Sequence, residues 1–358
     1  MNRRRNAFLA AALIGCVAAP VSAQQITDAQ ITANSIGAGS SQEQAIRAFA
    51  DRFSGDLTSA DPALRARARR ELLRPLTNTN ATIAFRLAYS RVLSGALERA
   101  IAGGPETGIG ALRIAGDLAS PTGVQLIEQG LRNADSAVRF SAASSAGRTF
   151  QAIGRSQPAV SEESLARLAA ALSRAIGSDS SAAVADASAR ALGEAAGIEI
   201  QGYDGVAPGA TRAVLEGLAS RLSDPELLAG PVDPLLYVAV ARGLEIANNR
   251  ISLANADNST ATLAANVAGH ALGLVVRDLD DADSDTAAAL SSLAGTSEAV
   301  VYWSAELLRP GSGQQFDLRN AAQRGAAPFR NAASGLIGTN GQLASAPFNL
   351  DPTAFQID

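Results

Sequence analysis

The sequence contains no lysine, one cysteine (Cys16), one histidine (His270), one tryptophan (Trp303) and only 15 aromatic residues in 358. Each scarcity excludes some chemistry. Without lysine there is no Walker-type phosphate loop, no Schiff-base site and no Ser–Lys dyad. One cysteine cannot build a zinc knuckle, an iron–sulfur site or an internal disulfide framework. One histidine cannot supply a two-histidine metal site. No G-x-S-x-G elbow is present. Carboxylate catalysis, Ser–His–Asp catalysis and substrate assistance are not excluded. No cofactor is expected. What is abundant is alanine, 77 residues, and arginine, which supplies all 30 basic side chains. Arginine without lysine, amid so much Ala and Gly, resembles GC-rich bacterial coding.

The N-terminus reads as an export signal. Arg3, Arg4 and Arg5 precede an apolar run, Ala7 to Ala19, too short to span a bilayer. Pro20-Val21-Ser22-Ala23 then offers small residues for cleavage before Gln24. Leu13-Ile14-Gly15-Cys16 also resembles a lipobox, in which Cys16 would carry lipid. Arg4-Arg5 with Phe8-Leu9 resembles a twin-arginine signal, one residue too long. Removal of residues 1–23 leaves 27 Arg against 34 acids, a net charge of −7, and no cysteine. That suits an oxidising compartment and argues against a general nucleic-acid binder. The expected location is periplasmic or extracellular, with a lipoprotein anchored at Cys16 as the alternative.

Residues 24–41 are polar and aperiodic and read as a flexible lead-in. From 42 to 309 apolar residues recur at spacings of three and four, and Asp-Pro, Gly and Asn punctuate the chain. That pattern predicts helix after helix. Ile198 to Tyr203 is the single short β-like run. Residues 310–358 read as a linker at Pro310–Gly313, one short helix over Asp317–Gln323 and an irregular tail.

Self-similarity is the strongest signal. Asp61-Pro62-Ala63-Leu64 recurs as Asp135-Ser136-Ala137-Val138, as Ser181-Ala182-Ala183-Val184, as Asp233-Pro234-Leu235-Leu236 and as Ser297-Glu298-Ala299-Val300. In each copy an Asp or Ser can cap a helix. Apolar residues follow at offsets three and eleven, and small residues hold offset eight in four copies; Arg69 holds it in the first. Small side chains at fixed offsets mark a stripe where a neighbouring helix comes close. Amphipathic helices over Gly123–Leu131 and Leu165–Ile176 precede two of the caps, so the unit is a helix pair.

The stretch from Ala111 to Ser120, then Val124 to Leu131, then Asp135, Val138, Arg139, Ala142, Ala143, Ala146 and Gly147 resembles a HEAT or HEAT-like repeat of the phycobilisome-lyase type. Gly116 to Gly147 spans 31 residues, and Gly147 to Gly193 spans 46. The resemblance covers about 60–309 and implies an all-α solenoid of stacked helix pairs. The paired His-Glu metal motif of the family's hydroxylases is absent, since Ala271 follows His270. That activity does not carry over. An Ala-rich bundle without solenoid order is the alternative architecture.

Several constellations are ambiguous. Arg65, Arg67, Arg69, Arg70 and Arg74 fall within ten residues. They read either as a site for an acidic partner or as a solvated face balanced by Glu71. Asp278, Asp280, Asp281, Asp283 and Asp285 form an acidic turn in which Asp281-x-Asp283-x-Asp285 imitates the start of a calcium loop, but Thr286 and Ser292 stand where the loop needs Gly and Glu. Asp283 or Asp285 as a helix cap is the simpler reading. His270 sits among small residues and reads as a packed helix histidine. Tyr302 and Trp303 mark either a partner surface or the packing of the last repeat.

The resulting expectation is an exported, non-enzymatic scaffold that binds protein or peptide through a helical-repeat surface. Arg65, Arg67, Arg69, Arg70, Arg74, Tyr302 and Trp303 are its candidate contact residues. No catalytic, cofactor or metal site is assigned. The alternatives are a carboxylate-dependent envelope hydrolase or lyase and a lipid-anchored assembly factor.

Overall fold

The computed structural model describes residues 25–155, 159–225 and 230–355. The export segment, with Cys16 and the cleavage site, lies outside them. Among the described residues the chain is helical, with no strand. Ile198–Tyr203 is a turn-containing loop.

In chain order the helices are α1 Asp28–Ile31, α2 Ser41–Ser54, α3 Pro62–Leu73, α4 Ile83–Ala102, α5 Pro105–Leu118, α6 Pro121–Leu131, α7 Ser136–Arg155 and α8 Glu162–Ser178. There follow α9 Ala182–Ala196, α10 Val206–Leu222, α11 Pro234–Ser252, α12 Asn258–Asp278, α13 Ser284–Leu308, α14 Leu318–Gln323 and α15 Ala326–Ile337.

Local chemistry sets most of these starts. The side chains of Ser40, Asp61, Thr82, Ser120, Ser161, Asp233, Asp257 and Asp283 each accept a first-turn N–H. Pro62, Pro105, Pro121 and Pro234 occupy the first helical position, where no hydrogen bond is lost. Asp135 takes the N–H of Ala137 at 2.8 Å. Ser181 stands at its helix start but makes no side-chain cap. Asp179 receives the Ser181 N–H instead.

The helices stack in two rows. In the first row α2, α4, α6, α8, α10, α12 and α15 touch in succession. In the second, α3, α5, α7, α9, α11, α13 and α14 do the same. The architecture is an all-α solenoid of helix pairs. The core between the rows is one continuous apolar cluster. α12 is long and apolar enough by composition to cross a bilayer. However, 67 % of its most apolar stretch is buried against its neighbours, as in a core helix.

A glycine register holds the second row together. Gly116, Gly147, Gly193 and Gly295 are each the twelfth residue of their helix, in α5, α7, α9 and α13. Each faces the next helix of that row. A Cβ on Gly116 would stand 2.6 Å from the Ser145 carbonyl, and one on Gly295 would meet Arg319 at 2.7 Å. This explains the unequal spacing of the glycines in sequence. Helix position repeats while loop length does not.

Three expectations change. Ser297 does not start a helix. It lies inside α13, fully buried, and its hydroxyl has no hydrogen-bond partner among the described residues. Asp283 caps that helix upstream, and no proline interrupts it afterwards. The lead-in is packed rather than loose, because Ile31 and Ile36 are buried and Thr82 donates to the Ala33 carbonyl at 2.7 Å. The tail is irregular but built in. α15 adds a helix, Leu343 and Phe355 are buried, and Glu306 accepts the N–H groups of Gly311 and Gly313. The expected short helix at 317–323 is α14.

Candidate partner-binding face

The second row carries the exposed apolar side chains. Leu64 on α3, Ile109 on α5, Phe140 on α7, Leu235 on α11 and Trp303 on α13 are the large hydrophobic residues exposed on described helices. Leu253, the remaining one, lies just past the end of α11. Among the described residues the first row exposes none of this size. Ile109 and Phe140 are each the fifth residue of their helix, in successive helices of the row. The Ser141 hydroxyl lies 3.5 Å from the Ile109 carbonyl, which ties α7 to α5 there.

A charge pattern runs across the same face. The ninth helical residue is Arg70 in α3, Arg113 in α5, Arg190 in α9 and Arg242 in α11. Arg190 and Arg242 both hold Asp186, at 2.5 and 3.1 Å, and Asp186 is buried beneath them. Arg70 and Arg113 make no ion pair among the described residues.

The five clustered arginines divide. Arg65 is consumed by the fold. It donates to the carbonyls of Ser59 and Ala60 at 2.7 and 3.0 Å and pairs with Glu106 at 3.1 Å. Arg74 pairs with Glu71 at 3.3 Å. The aliphatic stem of Arg69 lies over Gly110, in a trough of about 250 Å3 between α3 and α5. Arg67 and Arg70 are exposed. Glu71 balances Arg74 and Glu106 balances Arg65, which leaves three arginines of the cluster without a carboxylate among the described residues.

Tyr302 and Trp303 touch edge to face with ring centroids 5.1 Å apart. With Phe316, Gln315 and Ala299 they line a cleft of about 760 Å3. Gly313 leaves space for the Tyr302 ring, since a Cβ there would sit 2.8 Å from it. Tyr302 is thus committed to packing, while Trp303 is 40 % exposed. Glu298 lines the same cleft, but its carboxylate accepts the N–H groups of Phe316, Asp317 and Leu318. It replaces Asp317, whose left-handed backbone (φ +56°) leaves it without a side-chain cap. Arginines and aromatics therefore sit at opposite ends of one row, not in one site.

A second groove, about 690 Å3, separates the N-terminal halves of α8 and α10. Their C-terminal halves close tightly, where a Cβ on Gly217 would meet the Ser173 carbonyl at 2.5 Å. Ala166, Ala169, Ala170, Ala210 and Ala213 line the groove. Glu162 at its edge accepts the Gly205 N–H at 2.7 Å.

The remaining candidates resolve into structure. Asp283 caps α13. Asp278 accepts the Tyr237 hydroxyl at 2.7 Å and pairs with Arg277, and Asp280 pairs with Arg330. No group of three His, Cys, Asp or Glu residues placed to hold a metal occurs among the described residues. His270 packs edge-on against Phe355, and burial pushes its pKa down. Among the described carboxylates Asp117 alone is raised. Burial causes this and outweighs the opposing charges of Arg148 and Arg113. Among the described residues the charges acting on it are arginines, with no second carboxylate to share a proton.

Ile109, Phe140, Arg113 and Phe316 were not singled out in the sequence. A register signal existed for the first three, since Ile109 and Phe140 share one helical position and Arg70 and Arg113 another. It becomes readable only once the helix starts are known.

No family model matches the chain, and no curated protein matches it. The solved structure of an engineered protein is similar at 18 % identity and a TM-score of 0.39, covering 70 % of this chain and 97 % of that one.

Proposed function

We propose that this protein is an exported, non-catalytic scaffold that binds polypeptide partners along the outer face of its second helix row. The observation that carries the reading is the segregation of exposed apolar side chains. Leu64, Ile109, Phe140, Leu235 and Trp303 all belong to that row. Isolated exposed hydrophobics need no explanation, but confinement to one row of a two-row array is not isolation. Stacked repeats present such residues on one extended surface, and aromatic anchors concentrate interface energy. The stacked pairs and the glycine register also support kinship with HEAT-like repeats. Export rests on residues 1–23.

A photo-cross-linking residue placed at Phe140, Leu235 or Trp303, in protein expressed with its own leader, tests the reading. Expected are adducts with a common envelope polypeptide from second-row positions and none from Gln125 on the first row. Equal labelling from both rows, or none from the second, overturns it. The mass of the mature N-terminus separates cleavage before Gln24 from lipidation at Cys16.

A further inference from the structure

The outer face of α3, α5 and α7 carries positive charge that the fold does not use. The carboxylates on α3 and α5 are all engaged: Glu71 with Arg74, Glu106 with Arg65, and Asp117 with Arg148 at 3.5 Å. Arg67, Arg69 and Arg70 meet no carboxylate among the described residues. Arg113 is exposed and close enough to Asp117 to act on its charge, yet makes no ion pair with it. This cluster belongs to a chain whose net charge is −4. Unmatched positive charge on an acidic protein is a directional signal to a partner.

Ile109 stands one helical turn before Arg113 on α5. Ile109 is 40 % and Phe140 45 % exposed, on adjacent helices. Next to Ile109 runs the trough between α3 and α5, lined by Pro62, Ala66 and Gly110, with Arg69 along its wall. Gly110 adds no side chain to it, and a Cβ there would make only an ordinary contact with the Arg69 stem, at 3.7 Å.

We infer that this face docks an acidic peptide segment bearing apolar side chains, with Arg67, Arg70 and Arg113 receiving its carboxylates and Ile109, Phe140 and the trough receiving its apolar residues. The inference rests on the scaffold reading and names its partner class. Guanidinium forks match carboxylates bidentately, which suits a peptide rich in Glu or Asp. An anionic membrane fits less well. Its binding needs apolar side chains standing proud of the surface, whereas Ile109 and Phe140 are more than half sunk, Ile109 at the edge of the trough.

The test uses the full mature chain and a fluorescein-labelled helical peptide of about 16 residues, Glu-rich with Leu at i, i+3, i+4 and i+7. The comparators are the same peptide with Lys for Glu, and phosphatidylglycerol vesicles. Expected is binding of the acidic peptide about tenfold tighter than of the basic one, weakening as salt rises from about 50 to about 300 mM. R67E/R70E/R113E loses about tenfold and Phe140→Ser about threefold, with thermal midpoints unchanged. If the triple variant misfolds, Arg113→Gln alone is expected to lose about threefold. Three results overturn the inference: equal binding of both peptides, binding unchanged by the arginine variants, or vesicles bound while the acidic peptide is not. Failure here with cross-links intact at Leu235 and Trp303 leaves the scaffold reading standing. Loss of those cross-links removes the reading beneath it.

Discussion

Arg65 and Arg139 occupy the same place in two repeats, four residues past an aspartate cap. Both reach back to two loop carbonyls: Arg65 to Ser59 and Ala60, and Arg139 to Asn133 and Ala134 at 3.0 and 2.8 Å. Both then cross to a carboxylate of the next repeat. There the likeness ends. Arg65 meets Glu106 with one nitrogen, and the Glu106 side chain is 77 % exposed. Arg139 grips Asp179 with two, at 2.6 and 2.9 Å, and the Asp179 side chain is 6 % exposed. Asp179 also takes the Ser181 N–H, while the buried Arg221 donates to the Asp179 carbonyl. One side-chain type in one register thus makes a surface contact at one junction and a buried network at the other. Burial of the acceptor, not the arginine, makes the difference.

The two junctions can be told apart experimentally. Asp179→Ala strands Arg139 and removes the substitute cap of α9, so it should cost about 3 kcal/mol in denaturant unfolding. A loss near that of a surface pair would erase the distinction. Arg139→Lys keeps charge but not the fork, and about 2 kcal/mol should go. Arg65→Lys should cost about half as much, through the carbonyl contacts alone. Equal losses would mean that the shared carbonyl contacts dominate.

Acid sharpens the contrast further. Burial alone would raise the Asp179 pKa, but hydrogen bonds from Arg139 and Ser181 and the charges of Arg139 and Arg221 hold it below its ordinary value. Its stabilisation is present above the unfolded value of about 3.9 and is lost as pH falls through the folded one. Unfolding free energy should therefore drop below about pH 4 in the wild type and drop less in Asp179→Asn. Burial lowers the His270 pKa. Its contribution is complete above the unfolded value of about 6.5 and falls as pH descends below it. His270→Gln should flatten that upper step and leave the lower one. The smallest effect belongs to Glu106→Ala, about 0.5 kcal/mol and weaker in high salt. A loss above about 1 kcal/mol would show the two junctions to be alike.

What the sequence disclosed follows from range. Asp61, Asp135 and Asp233 were legible as caps because a cap bonds within three residues. Helix pairing was legible because small residues recur at a fixed offset. Ser297 was misleading, because its pattern matched while the real cap, Asp283, lay fourteen residues earlier. The arginine cluster was visible as composition, but separating Arg65 and Arg74 from Arg67, Arg69 and Arg70 needed Glu106, forty-one residues away from Arg65. The order of the tail was hidden for the same reason. Glu298 and Glu306 hold 311–318 from the preceding helix, and Phe355 lies against Gly269 on α12.

At the far end of the array the order of rows reverses. α14 follows α13 in the second row, and only then does α15 join the first beside α12. Every earlier pair enters through the first row. The chain therefore doubles back over its own end, with Arg319 seated on Gly295 and Phe355 on Gly269. A stack of like units has no intrinsic last member, and an uncovered terminal pair would be a template for another molecule. Here α14, α15 and Phe355 lie against that last pair, so the chain itself covers part of the surface that a further like unit would use.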